Sequence, residues 1–164
     1  MAAESVTGPG RGEGAQRRCD QEGAEGVTST AMSDTAETDP ANCPFCFPGA
    51  DRVAFEDRLT RALWDAFPAS PGHLLIVPRR HVATWFDASK HEQLAIVRAM
   101  DEARELIASR HSPDGYNIGI NVGPAAGQTV FHLHVHLIPR YRGDVVDPRG
   151  GVRHVIPGKG NYLK

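Results

Sequence analysis

No run of about 18 apolar residues occurs anywhere in this 164-residue chain, so nothing in it reads as a membrane-spanning helix. Its first residues also lack the apolar stretch of a secretion signal. Neither charge is in large excess: 18 basic against 20 acidic residues leave no bulk field to draw nucleic acid or a membrane surface. Cysteine is scarce, with three in all, too few for a disulfide scaffold and suited to a reducing, cytoplasmic setting. Aromatic residues are absent from residues 1–42, where Val6, Val27, Met1 and Met32 are the only sizeable apolar side chains. That stretch cannot bury enough surface to offset the entropy of ordering, so a disordered tail is expected over residues 1–42. Met32 within it reads as an alternative start, and Cys19 as incidental.

The rest of the chain is patterned. Residues 53–56 and 61–66 suggest two strands of a hairpin turned around 57–59. Residues 68–72 suggest a Pro- and Gly-rich loop, and 73–77 a third, continuously apolar strand. A helix is predicted from Asp87 or Ser89 to about Arg110, with Leu94, Val97, Met100, Ala103 and Ile107 recurring as its apolar stripe. Residues 116–122 and 132–138 complete the strands. One long helix among strands implies an α+β domain with a largely antiparallel sheet. Domain bounds of 43–144 follow, with a turn-rich, extended C-terminal tail at 145–164. Arg140, Arg142, Arg149, Arg153, Lys159 and Lys164 cluster after the last strand, either as a solvated basic end or as an attractor for polyphosphate.

Within the last strand the chain reads Phe-His-Leu-His-Val-His-Leu-Ile-Pro over residues 131–139. Alternation with a period of two places His132, His134 and His136 on one face of a half-buried strand, with neighbours roughly 6.6–7 Å apart. Imidazoles so close suit proton transfer, metal binding or a covalent phosphoryl intermediate. A second constellation, Cys43-Pro-Phe-Cys46, offers two thiolates to one tetrahedral ion, which needs two further ligands. A redox pair is the other reading of that spacing, although the flanking βαβ pattern of thioredoxin-like proteins is missing.

The triad with its lead-in, Asn121 through Thr129, and the block Pro71-Gly72-His73 through Pro78 resemble the histidine triad (HIT) superfamily of nucleotide hydrolases and nucleotidyl transferases. The resemblance covers residues 43 to 144. It implies a five-stranded sheet with one long helix, and a homodimer paired into a continuous sheet. It also implies cleavage of a nucleoside phosphate derivative, a dinucleoside polyphosphate or a nucleoside phosphoramidate, at its α-phosphorus through a nucleotidyl-histidine. By the same match His134 is the nucleophile and His136 touches phosphate oxygens or the leaving group. Gln128 and Thr129 supply donors to the phosphate, and His73 buttresses the triad. Asp65 takes the ribose hydroxyls, Asn121 lies beside the phosphate path, and Gly127 lets the backbone approach closely.

Zinc-bearing bacterial relatives complete a Cys-x-x-Cys pair with histidines that correspond to His81 and His132. The resemblance therefore implies a structural Zn²⁺ on Cys43, Cys46, His81 and His132, and no organic cofactor. Two positions depart from the dinucleoside polyphosphate branches: Asp65 stands where hydrolases usually carry Asn, and Phe131 where phosphorylases tend to carry an acid. Hydrolysis, phosphorolysis and a non-catalytic nucleotide-binding adaptor therefore remain as alternatives, with the base and the leaving group open.

Overall fold

The computed structural model describes residues 38–162. Most of the expected N-terminal tail thus lies outside the described residues. Its last five residues, 38–42, are ordered: Asp39 caps a 3-10 turn at Pro40–Asn42, and Thr38 Oγ1 accepts the Phe131 N–H at 2.6 Å.

Five strands form one antiparallel sheet. They are β1 (Val53–Glu56), β2 (Thr60–Trp64), β3 (Leu74–Pro78), β4 (Gly115–Gly119) and β5 (Val135–Arg140), in the spatial order β1-β2-β3-β5-β4. Asp57 makes the first hairpin, because its Oδ1 accepts the N–H groups of both Leu59 and Thr60.

The single helix α1 (Lys90–His111) begins on a capping box. Ser89 Oγ accepts the Glu92 N–H while the Glu92 carboxylate accepts the Ser89 N–H. Arg80 pairs with the same carboxylate through two 2.8 Å bonds, tying the helix start to the end of β3. That pairing comes first among the causes holding the Glu92 carboxyl down at about 2.

Alternation divides the core between the two faces of the sheet. On one face Ala62, Leu74, Ile76, Val135 and Leu137 pack against Ile96, Ala99, Ala103 and Ile107 of α1. On the other, Leu63, Leu75 and Val77 pack against Cys43 and Phe45. The helical stripe is rotated from the predicted one: Leu94 and Val97 are 57% and 47% exposed, while Ala95, Ile96 and Ala99 are buried. Alanines at 95, 99 and 103 let the helix approach the sheet closely, and the larger side chains are left outside.

The expected last strand starts too early. Pairing begins at Val135, so His132 and His134 precede the ladder and are buried, yet they stay on the same side of the sheet as His136, with the His134 and His136 rings 5.1 Å apart. Leu133 N instead donates to Val82 O at 2.6 Å. The C-terminal segment is likewise not simply extended, since Gly151–Val155 forms a 3-10 turn. Of the six basic residues that cluster after the last strand, three are paired locally: Arg140 with Asp144, Arg142 with Asp114 and Arg149 with Asp147. No helix of the described residues is long and apolar enough to cross a membrane.

Candidate functional site

Two histidine constellations meet on the sheet face opposite α1. In the first, ligand atoms of Cys43, Cys46, His81 and His132 all lie within 4.8 Å of one another. His132 Nδ1 is 3.3 Å from Cys43 Sγ and 3.4 Å from Cys46 Sγ, and His81 Nδ1 is 3.2 Å from Cys46 Sγ. A tetrahedral zinc with bonds of about 2.3 Å to sulfur and 2.0–2.1 Å to nitrogen needs separations of this order, so the four residues fit the ion.

The surroundings also suit it. His132 Nε2 lies 2.9 Å from Pro78 O. Donation to that carbonyl places the ring proton on Nε2 and leaves the Nδ1 lone pair facing the thiols. Burial, foremost, drives His132 down to about 4, so it stays neutral. The Phe45 N–H points at Cys43 Sγ, and Arg61 Nη1 donates to the carbonyls of Phe45 and Cys46. Burial and then the neighbouring Cys43 thiol push Cys46 up to about 11. An uncompensated thiolate is therefore disfavoured there, as expected of a pocket built around a cation.

The second constellation lines a cavity of about 310 Å³ that contains His134, His136, Asp65, Thr129, Phe45 and Leu75. A larger cavity of about 550 Å³ beside Thr38 and His81 includes none of the chemistry-bearing members His134, His136 or Asp65. His134 Nδ1 is 2.7 Å from His132 O. Since a carbonyl only accepts, Nδ1 carries the proton and Nε2 keeps its lone pair. Burial lowers the pKa of His134 and, with a value of about 4, of His136, which leaves both rings neutral at pH 7. Their centroids are 5.1 Å apart.

His73 sets the orientation of His136. Its Nε2 lies 3.1 Å from His136 Nδ1, while its Nδ1 faces both the Ala69 N–H at 3.1 Å and Asp65 Oδ2 at 3.2 Å. These last two neighbours demand opposite protonation of Nδ1. Burial dominates and lowers the pKa of His73 against the pull of Asp65, and the backbone N–H is fixed in place. The ring is therefore neutral, accepts from Ala69 and donates from Nε2 to His136. His136 then presents its own Nε2–H, and Asp65 Oδ2 faces an acceptor and has no donor among the described residues.

Other expected residues take different places. Gln128 is 4% exposed, with its amide donating to Ala83 O and Val130 O and its carbonyl accepting the Gly123 N–H. Its side chain clamps the loop, and it is not among the residues lining the cavity. Gly127 has open space around its Cα; its φ of +82°, not close approach, is what favours glycine there. Asn121 lies past the end of β4, two residues beyond Gly119, and is not among the residues lining the cavity. Residues not anticipated from sequence include Phe45, whose ring is 5.0 Å from His134 and 6.0 Å from His132, and Arg52 and Phe67 at the cavity rim. Phe45 sits between the two cysteines, which was the available signal.

Comparison with known proteins agrees with this geometry. The HIT domain model matches residues 49–143. An uncharacterized HIT-like protein of Synechococcus elongatus is 35% identical over 86 residues, 52% of this chain and 75% of that protein. The AP-4-A phosphorylase of Mycobacterium tuberculosis is 36% identical over 93 residues, 56% of this chain and 48% of that protein, so this chain spans about half its length. Among solved structures, a Zn-bound histidine triad family protein from Mycobacterium smegmatis superposes with a TM-score of 0.60 at 30% identity, covering 66% of this chain and 82% of that one. A matching family model over most of the folded domain, and a triad held in this arrangement, make the chain a member of the HIT domain family.

Proposed function

We propose that this protein cleaves a nucleoside phosphate derivative at its α-phosphorus through a nucleotidyl-His134 intermediate. The observation that carries the reading is the 2.7 Å contact of His134 Nδ1 with His132 O. It leaves the Nε2 lone pair of a neutral ring in a cavity shared with Asp65 and His136. In the first step an N–P bond forms at His134 Nε2 as the bond to the leaving group breaks. His136, held by His73, offers its Nε2–H to a phosphate oxygen or to the leaving group. Asp65 Oδ2, short of a donor, takes the ribose hydroxyls. Thr129 lies beside the phosphate, while Gln128 fixes its loop. Water or another acceptor then breaks the N–P bond and restores the ring.

Cys43, Cys46, His81 and His132 would hold one structural Zn²⁺. Four protein ligands leave no open position, so the ion contributes folding stability and not reactivity. A homodimer through α1 and the edge strand β4 is supported by Leu94, Val97 and Ile118, which are exposed on those elements.

Turnover of a panel of diadenosine polyphosphates and adenosine phosphoramidates, with and without inorganic phosphate, tests the activity. Mass spectrometry of peptides from alkali-quenched reactions locates the intermediate, because its N–P bond is labile to acid. A nucleotidyl group on His134 and nucleoside monophosphate as product are expected; a nucleoside diphosphate formed only with phosphate present indicates phosphorolysis, the activity named for the M. tuberculosis relative. No turnover of any member, with nucleotide binding intact, would leave a binding adaptor.

A further inference from the structure

The cavity that holds the nucleophile is also lined by a cation with unused donors. Arg52 closes the 3-10 turn Ala50–Arg52 just before β1, and its Nε donates to Trp64 O at 3.1 Å. That bond orients the guanidinium, and its two terminal amino groups have no partner among the described residues. Arg52 nevertheless lines the same cavity as His134, His136 and Asp65. A surface arginine with nothing to bind is ordinary; one walling a nucleotide pocket is not.

The sheet fixes what Arg52 can reach. His136 on β5 is paired with Leu75 on β3, Asp65 follows β2, and Arg52 precedes β1. A nucleotide with its phosphate at His134 and its ribose at Asp65 runs across these strands in that order. Its base then falls at the β1 end, beside Arg52. Phe67, 90% exposed, lines the same rim and offers a ring face to the base. Stacking of that kind accepts any base and adds affinity without choice.

Arg52 does discriminate, because a guanidinium has donors and no acceptor. Guanine presents two adjacent acceptors, O6 and N7, whereas the matching edge of adenine presents one acceptor and the N6 donor. We propose that Arg52 reads this edge and biases the pocket toward guanine nucleotides over adenine nucleotides. The inference rests on the nucleotide reading given above and names its base preference.

The test uses the full chain. Calorimetric affinities for GMP and AMP are measured beside kcat/KM for guanosine and adenosine 5′-phosphoramidates. Wild-type protein is expected to favour guanine by about 5- to 150-fold in both, the range of one good bidentate base contact. Arg52→Ala should bring the ratio toward unity, and Arg52→Gln, with one donor and one acceptor, should move it toward adenine. Equal or tighter binding of AMP by wild-type protein overturns the inference. So does a ratio that survives in Arg52→Ala, including the case in which both nucleotides weaken alike because Arg52 holds a phosphate. Those outcomes leave the nucleotide reading standing, whereas failure of both nucleotides to bind removes that reading and this inference with it.

Discussion

The two histidine constellations share one peptide segment and differ in nearly everything else. Around His132 the side chains close on one another: ligand atoms converge within 4.8 Å and the ring itself is fully buried. Around His134 they leave a space of about 310 Å³, with Asp65 and His136 at its wall and His73 gathered beside them. Convergence on a point is what an ion needs, and an empty volume bordered by oriented donors and lone pairs is what a substrate needs. The two are coupled, since the carbonyl of His132 sets the tautomer of His134 and Phe45, between the cysteines, packs on the His134 ring. Under the proposed function, one half would supply rigidity and the other chemistry.

The sharpest break of this division is His134→Ala, which should lower turnover by at least about four orders of magnitude, as loss of a covalent nucleophile does. Its melting temperature should change far less. Retention of a tenth of wild-type kcat would contradict the assignment. The converse experiment is removal of metal by a chelator, or Cys43→Ser. A tightly bound structural ion stabilises by roughly 4 kcal/mol at a thousandfold excess over its dissociation constant, so melting should fall by on the order of 10 °C or more. Elemental analysis should find one zinc per chain in untreated protein. A chemical step slowed more than stability is lowered would mean that the two halves are not separable in this way.

His73→Ala probes the link inside the catalytic half. Losing the partner that orients His136 should cost about 10- to 100-fold in kcat, with KM little changed. An equal loss confined to KM would place His73 in substrate binding instead.

The smallest effect expected is on acid stability. His136 is held at about 4 in the fold against 6.5 for the free ring, so as pH falls the unfolded chain takes up its proton first. Its neutral burial therefore costs nothing above about pH 6.5 and destabilises progressively down to about pH 4. Glu92, held at about 2 against 4.5, loses its contribution only below about pH 4.5. His136→Gln should make the upper part of the denaturation curve less steep, the buried His132, His134 and His73 acting there with the same sign, and leave the lower part intact; identical curves for variant and wild type would place the acid sensitivity elsewhere.

Much of this molecule is legible along the chain because it rests on short-range regularities. The hairpin around Asp57, the Ser89 cap with Glu92 three residues later, and the alternation through Val135 and Leu137 are local patterns with local causes. The strand boundaries and the rotation of the α1 stripe are not. The first turns on contacts such as Leu133 N with Val82 O and the second on which helix residues the sheet covers, and both join residues far apart in sequence. Gln128 shows the same limit: a polar residue on a Gly-rich loop fits either a ligand or a clamp, and its bonds to Ala83 and Gly123 are visible only in three dimensions.

By itself the sequence determined the α+β class, the alternate histidines and the two cysteines, since each depends on residue identity at fixed local spacing. Only the tertiary structure divided those histidines between two tasks. His132 turns toward Cys43 and Cys46, which stand 89 and 86 residues away in the chain, while His136 turns toward His73. The lone pairs that His132 and His136 expose are settled by Pro78 O and His73, brought beside them from far along the chain, whereas His134 takes its tautomer from His132 O two residues back. Hydrogen bonding acts over about 3 Å in space and is indifferent to distance along the chain.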